Sequence, residues 1–162
     1  MAFKNICDLM HCIGYSKSSS YTAVRIMSNQ SMSFKGLRLL VVDDDADTRT
    51  LLTFLFEIDG AEIITAASAS DALEIMSFFK PDILISDIYL PDENGYSLLT
   101  KIRKLEAKRG RNIPAIAMTA SAFDEDRNRA LLAGYDIYRC KPIDLEELAA
   151  TVASLTKLEK YA

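Results

Sequence analysis

Three consecutive aspartates, Asp43, Asp44 and Asp45, follow an apolar run in the segment VVDDDADTR at residues 41–49. Adjacent carboxylates repel one another by on the order of 1 kcal/mol or more at partly shielded sites, so the cluster needs a positive partner. An aspartate here can also cap the helix predicted by ADTRTLLTFLFE, because a carboxylate accepts hydrogen bonds from the free N–H groups of a helix N-terminus. This segment alone leaves a helix cap and a metal or phosphate site open.

Three more residues that can do chemistry follow later apolar runs. Asp87 lies in ILISDIYLPDENG, Thr119 in AIAMTAS and Lys141 in YRCKPID. Mg²⁺ prefers carboxylate ligands, and a lysine can pair with a carboxylate or with a phosphoryl group. Asp87 stands apart from the acidic run, which favours it as a nucleophile that attacks phosphorus and forms an acyl phosphate. We therefore predict a phosphoryl-transfer site in which Thr119 donates to the transferred group while Lys141 and Mg²⁺ neutralise its charge.

The elements that position these residues alternate between two kinds from Leu37 onward. The strand candidates are LRLLVV, EIITAA, DILIS, AIAM and DIYRC. The helix candidates are DTRTLLTFLFEIDG, SDALEIMSFF, GYSLLTKIRKLEAKR, EDRNRALLAG and DLEELAATVASLTKL. Continuous apolar strands that alternate with amphipathic helices predict a doubly wound α/β domain with a parallel sheet. In such a sheet the carboxyl ends of the strands form one ligand-binding edge, and the acidic run, Asp87, Thr119 and Lys141 all follow strands.

Helix ends support this division of the chain. Gly60, Gly110 and Gly134 each follow a helical run, as C-terminal cap residues do.

Charge and cysteine content narrow the function classes. The 162 residues carry a formal net charge of −4. Residues 1–35 contribute +3 and the remainder −7, so the acidic body repels a phosphate backbone and direct binding to nucleic acid is not expected.

Three cysteines, Cys7, Cys12 and Cys140, form no disulfide framework and suit a reducing cytoplasm. The apolar stretch NICDLMHCIGY is too short to span a bilayer, so we expect a cytoplasmic protein without membrane insertion.

The chain divides near residue 36. Residues 1–35 are rich in serine and lack sustained periodicity, which predicts a flexible N-terminal extension. Cys7, His11 and Cys12 provide three soft ligands without a fourth, so an incidental apolar patch explains them better than a zinc site. We place the folded domain at 36–158 and a short C-terminal tail at 159–162.

The chemistry-bearing residues resemble, in order and spacing, the receiver domain of two-component response regulators. The resemblance runs from about Leu37 to about Leu155 and rests on the pair Asp43 and Asp44 after LRLLVV, Asp87 in DILISDIYLPDENGY, Thr119 followed by Ala120, and Lys141 followed by Pro142. It implies a flavodoxin-like (βα)5 fold with strand order 2-1-3-4-5. It also implies phosphoryl transfer to Asp87 from a phosphohistidine of a histidine kinase or histidine phosphotransfer protein.

The same resemblance implies roles for individual residues. Asp44 and Asp87 would bind Mg²⁺ directly, Asp43 would bind it through water, and the backbone carbonyl of Tyr89 would complete the protein ligands. Asp45 would then lie outside the metal pair and cap a helix. Tyr138 would act with Thr119 as a switch, although a plain strand-end tyrosine is the alternative. The bond before Pro142 would be cis.

Two other classes of protein share some of these residue types or this fold. A haloacid-dehalogenase-like phosphatase also has an aspartate nucleophile, Mg²⁺, a threonine and a lysine, but it needs an aspartate where this chain has Tyr89. A flavodoxin would need a hydroxyl- and glycine-rich phosphate loop where this chain has three aspartates, which repel phosphate.

We expect a phospho-acceptor signalling protein rather than an enzyme. Little sequence follows the last predicted helix, so output is expected through contacts with a downstream target protein, and a relay shuttle that passes the phosphoryl group to a second histidine protein stays open. Tyr89 and Ser121, each two residues beyond a site residue, are neither acidic nor amides. They should position an attacking water poorly, which predicts slow self-dephosphorylation.

Overall fold

The computed structural model describes residues 32–160, with side chains for residues 32–156. Five strands alternate with five helices over this part of the chain. The strands are β1 (Arg38–Val42), β2 (Glu62–Ala66), β3 (Ile83–Asp87), β4 (Ala115–Thr119) and β5 (Ile137–Cys140). The helices are α1 (Ala46–Glu57), α2 (Ala69–Met76), α3 (Gly95–Lys108), α4 (Asp124–Ala133) and α5 (Leu145–Lys160). Each lies within a few residues of its predicted position.

All five strands are parallel and form one sheet in the order β2-β1-β3-β4-β5. This confirms the predicted flavodoxin-like fold and its strand order. The strand order reverses between β1 and β3, so the crevice outside their carboxyl ends is the place where such sheets bind ligands. The last residues of β3 and β4 are Asp87 and Thr119. The fold therefore brings the predicted site residues to one edge.

Helices cover both faces of the sheet. On one face α1 contacts α5, and on the other α2, α3 and α4 contact one another in chain order. Every residue of β3 and β4 is buried, as are the last four of β1. The edge strands β2 and β5 are only partly covered. This explains why the central strands are almost continuously apolar.

Cap residues mark where the helices begin and end. The carboxylate of Asp45 accepts hydrogen bonds from the N–H groups of Asp47 and Thr48, which confirms Asp45 as the N-cap of α1. Gly134 is the C-cap of α4 with φ 109°. Gly60 and Gly110 also have positive φ but lie beyond the caps of their helices, which are Ile58 and Arg109.

Packing of the domain begins slightly before the predicted boundary. Phe34 is buried, its ring meets that of Phe56 edge-on at 5.3 Å between centroids, and its N–H donates to the carbonyl of Asp59. By its internal contacts the chain divides into Met1–Ser33 and Phe34–Ala162. The predicted extension up to residue 31, with Cys7, His11 and Cys12, lies outside the described residues, as do residues 161–162 of the predicted tail. The flexible extension and the domain limits remain predictions.

Candidate functional site

Lys141 lies between two carboxylates at the carboxyl edge of the sheet. Its Nζ donates hydrogen bonds to Oδ2 of Asp43 and to Oδ2 of Asp87, both at 2.8 Å. The side chain of Asp43 has no exposed surface and that of Asp87 is 8% exposed. An unpaired charge at such depth costs several kcal/mol in lost hydration, and the ammonium group of Lys141 provides the opposite charge for both carboxylates.

The backbone of Lys141 is bonded to the neighbouring strand. The N–H of Lys141 donates to the carbonyl of Thr119 at 2.7 Å, which ties the end of β5 to the end of β4. The peptide bond between Lys141 and Pro142 is cis, as predicted.

Both carboxylate oxygens and both backbone polar groups of Asp43 take part in hydrogen bonds. Its Oδ1 accepts the N–H of Asp45 at 2.9 Å, its carbonyl accepts a hydrogen bond from Arg49 at 2.7 Å, and its N–H donates to Ala66. Burial raises the pKa of Asp43, and the hydrogen bonds from Lys141 and Asp45 oppose that rise only in part. The single ammonium group of Lys141 is shared by the carboxylates of Asp43 and Asp87, so it balances only part of their combined negative charge.

The pKa of Lys141 moves upward. Burial alone would lower it, but the hydrogen bonds to Asp43 and Asp87 outweigh burial and hold the ammonium form. Lys141 is therefore a fixed positive charge at neutral pH.

The acidic residues at this edge form a group suited to a divalent cation. Asp43, Asp44 and Asp87 each offer a carboxylate oxygen within 4.8 Å of the others. Asp44 is exposed, whereas the other two are buried. Mg²⁺ is bound in proteins by one or two carboxylates together with waters, so one accessible carboxylate beside two fixed ones fits that ion. Asp45 takes no part because its side chain caps α1.

Thr119 and Tyr138 meet through the loop after β4. Thr119 is 1% exposed, and its Oγ1 accepts the N–H of Ser121 at 3.2 Å. The hydroxyl of Tyr138 donates to the carbonyl of the same Ser121 at 2.7 Å. Burial raises the pKa of Tyr138, so its hydroxyl stays protonated as a donor. The two predicted switch residues are therefore connected by one loop residue, although their roles stay predictions.

Tyr89 approaches Asp87 through its backbone. Its N–H donates to Oδ1 of Asp87 at 3.0 Å, while its side chain points outward and the residue is 57% exposed. The role of its carbonyl as a metal ligand stays a prediction.

Residues 39–153 match the family model described as response regulator receiver domain. This chain belongs to the response regulator receiver family. Among curated proteins, it is 43% identical over 114 residues to an uncharacterized 14.6 kDa protein of Leptolyngbya boryana, covering 70% of this chain and 86% of that protein. It is 34% identical over 120 residues to the transcriptional regulatory protein PrrA of Mycobacterium tuberculosis, covering 74% of this chain. The chain spans 50% of PrrA's length.

Solved structures show the same similarity. A CheY-like receiver domain protein from Methanospirillum hungatei has a TM-score of 0.69 at 31% identity, with 78% of this chain and 98% of that chain covered. A two-component response regulator from Clostridium difficile has a TM-score of 0.70 at 30% identity, with 75% and 96% covered. Among residues 32–160 of this receiver domain, no helix combines the length and apolar character needed to cross a bilayer.

Close packing fixes the receiver loop that follows Asp87. A Cβ on Gly95 would lie 2.7 Å from the carbonyl oxygen of Asp87 and 2.9 Å from Cα of Ile88, so only glycine fits there. The buried hydroxyl of Tyr135 donates to the carbonyl of Gly95 at 2.8 Å. In the sequence, the segment DENG at residues 92–95 indicates a loop that contains a glycine. It does not indicate the close contact with Asp87 and Ile88, because that contact depends on tertiary packing.

Sequence reasoning also missed three side chains that support the receiver site. Arg49 holds the Asp43 carbonyl, and Asp126 accepts the hydroxyl hydrogen bond of Ser121. Asp92 accepts the N–H groups of Ala69 and Ser70 at the start of α2, at 3.0 and 2.8 Å. Each contact joins residues from different elements or loops, and nothing in the local pattern indicates it.

Proposed function

We propose that Asp87 accepts a phosphoryl group from a phosphohistidine of a histidine kinase or histidine phosphotransfer protein. Receiver domains interact with such proteins, and phosphorylation on aspartate is general in the family. The observation that carries the proposal is the placement of Lys141 Nζ at 2.8 Å from Asp87 and Asp43. That placement puts a positive charge beside the carboxylate that would attack phosphorus, where it can balance the charge of the phosphoryl group.

The transfer forms one bond and breaks one. A carboxylate oxygen of Asp87 bonds to phosphorus while the bond from phosphorus to the imidazole nitrogen breaks, and the electron pair leaves with the imidazole. Negative charge spreads over the phosphoryl oxygens during the transfer. Lys141 neutralises part of it, and the Thr119 hydroxyl donates a hydrogen bond to one oxygen.

The cluster of Asp43, Asp44 and Asp87 would hold Mg²⁺, an ion that receiver domains generally bind. Asp44 and Asp87 would bind it directly, Asp43 through water, and the carbonyl of Tyr89 would add a further oxygen. When bound, Mg²⁺ supplies positive charge next to the phosphoryl oxygens. Asp44 is the exposed member, so it is the carboxylate free to reach the ion.

Phosphorylation would act on partners through the β4–α4 loop. A Thr119 hydroxyl that turns toward the phosphoryl group releases the N–H of Ser121, and Ser121 also accepts the hydrogen bond from Tyr138. The surface of α4, β5 and α5 would change in consequence and bind a downstream target protein differently. Onward transfer to a second histidine protein would instead make the chain a relay.

Self-dephosphorylation of this domain would be slow. The Ser121 hydroxyl donates to Asp126 on α4, and Tyr89 offers no acidic or amide group. Neither side chain is suited to orient a water molecule in line with the acyl phosphate.

Labelling with a small phosphodonor and Mg²⁺ tests the assignment of Asp87. Intact mass should show one added phosphoryl group on the unaltered chain and none on Asp87→Asn, because an amide cannot form the acyl phosphate. Asp45→Asn is the matched control, since it removes a neighbouring carboxylate that only caps α1, and it should be labelled normally. Labelling of Asp87→Asn at the level of the unaltered chain would show that another residue accepts the group.

A further inference from the structure

Two clefts that share lining residues lie at the carboxyl end of β2, the edge strand, between α1 and α2. Their volumes are about 320 and 420 Å³, and Arg49 and Thr65 line both. Phe54 closes the α1 side and Phe78 closes the α2 side. Phe54 is 46% exposed and Phe78 is 68% exposed, so both present apolar surface to the clefts that they line. We call the combined surface, with the open edge of β2 as its floor, the β2 groove.

Among the described residues, no backbone hydrogen bond is made on the outer side of β2. The N–H of Glu62 donates to Leu37, and the carbonyl of Ala66 accepts from Asp43, so these residues face β1. Alternate residues of a parallel strand face opposite neighbours, so the N–H and C=O groups of Ile63 and Thr65 face outward. Among the described residues β2 pairs with β1 alone. An edge of this kind is a template for an added strand.

The walls of the β2 groove are acidic as well as apolar. Glu57 lies on the α1 wall, and Asp71 and Glu74 lie on the α2 wall. Arg49 is the basic residue of the lining, and it is already bonded to the Asp43 carbonyl. Successive side chains of an added strand point alternately to the two walls, and each wall offers one phenylalanine and at least one carboxylate.

We infer that the β2 groove binds an extended segment of a partner protein that carries both basic and apolar side chains. Its backbone pairs with Ile63 and Thr65, its apolar side chains contact Phe54 and Phe78, and its basic side chains meet the acidic walls. A second copy of this chain is a poorer occupant, because pairing of two β2 strands would bring like-charged walls together.

The β2 groove is joined to the receiver site by one side chain. Arg49 lines both clefts and donates to the Asp43 carbonyl at 2.7 Å. A bound segment therefore contacts the residue that holds Asp43 in place. The inference rests on the edge of β2 and its walls and does not depend on phosphorylation of Asp87.

Selection from a phage-displayed library of random peptides on the immobilised full chain tests the inference. Enriched peptides should contain lysine or arginine together with apolar residues. Synthetic copies should bind Phe78→Ser roughly tenfold more weakly, the effect typical of an exposed aromatic anchor. Phe123→Ser is the matched control, because Phe123 is 75% exposed and lies away from β2, and it should bind normally.

Charge reversal and amide exchange provide two further measurements. Glu57→Lys with Glu74→Lys should weaken binding, most at low salt, whereas Glu125→Lys with Glu146→Lys changes net charge equally and should not. A bound peptide should slow amide exchange at Ile63 and Thr65 but leave Ile64, which already faces β1, unchanged.

Four results would overturn the inference. The first is no enrichment of peptides, and the second is enrichment without basic residues. The third is binding that is insensitive to Phe78→Ser and to charge reversal, or that gives no protection at Ile63 and Thr65. The fourth is self-association of the chain, measured by sedimentation, that Phe78→Ser abolishes, because a second copy would then occupy the β2 groove.

Discussion

At the scale of single residues, Lys141 divides one positive charge between two carboxylates. Its Nζ lies 2.8 Å from Oδ2 of Asp43 and 2.8 Å from Oδ2 of Asp87. Removing the lysine would leave two buried carboxylates together without their shared positive partner. The proposed transfer needs no new positive charge from the protein, since Lys141 already stands beside the attacking oxygen.

We predict that the lifetime of the phosphorylated form depends on the side chains of Tyr89 and Ser121. The double change Tyr89→Asn and Ser121→Glu should speed its decay, because an amide and a carboxylate can orient the attacking water. The measurement is loss of the added phosphoryl mass with time after removal of the donor. Ser121→Ala is the control, since it breaks the hydrogen bond to Asp126 without adding a group that binds water. Unchanged or slower decay in the double variant would mean that these positions do not govern access of water.

At the scale of elements, the loop between β4 and α4 connects the site to a surface. Ser121 receives Tyr138 at its carbonyl, offers its N–H to Thr119 and donates its hydroxyl to Asp126 of α4. One loop residue thus joins β4, β5 and α4. We therefore expect a change at Thr119 to affect all three elements through Ser121.

Hydrogen exchange can follow this connection. A phosphoryl mimic should change exchange in α4, β5 and the start of α5 of the unaltered chain, and it should change them less in Thr119→Ala, which cannot turn a hydroxyl toward the mimic. Thr100→Ala is a suitable control, because Thr100 is an exposed threonine whose hydroxyl bonds only within α3. Equal responses in the unaltered chain and Thr119→Ala would leave Tyr138 as an ordinary strand residue.

The sequence predicted the elements well, because strand and helix periodicity are local. It also predicted that Asp43, Asp87 and Lys141 converge, since the carboxyl ends of parallel strands meet at one edge. The sequence did not predict the contacts that support the site. Arg49 donates to the Asp43 carbonyl across a turn, and Asp92 accepts a hydrogen bond from the N-terminus of a helix 22 residues earlier in the chain. Such contacts depend on how loops pack, which periodicity does not encode.

At the scale of the whole molecule, Phe34 is the first buried residue of the part of the chain that the structure describes. Phe34→Ala should lower the free energy of unfolding by about 3 kcal/mol, the cost of removing a buried phenylalanine that packs on Phe56. Urea denaturation measures this loss. Phe123→Ala, at an exposed position, should change stability by less than about 0.5 kcal/mol. Equal stability of Phe34→Ala and the unaltered chain would place the start of the domain after Phe34, nearer the predicted residue 36.

The double hydrogen bond from α2 to Asp92 makes the two sides of the site mechanically unequal. On one side, the loop that carries Tyr89 is fastened to α2 by Asp92 and to α3 by the tight fit of Gly95. On the other side, the β4–α4 loop is held by hydrogen bonds of Ser121, which include those to Thr119 and from Tyr138, the residues proposed to move on phosphorylation. If Asp87 is phosphorylated as proposed, we expect the resulting displacement to be larger in the β4–α4 loop than in the loop that carries Tyr89. The anchor at Asp92, remote from α4, would thereby direct the change toward α4.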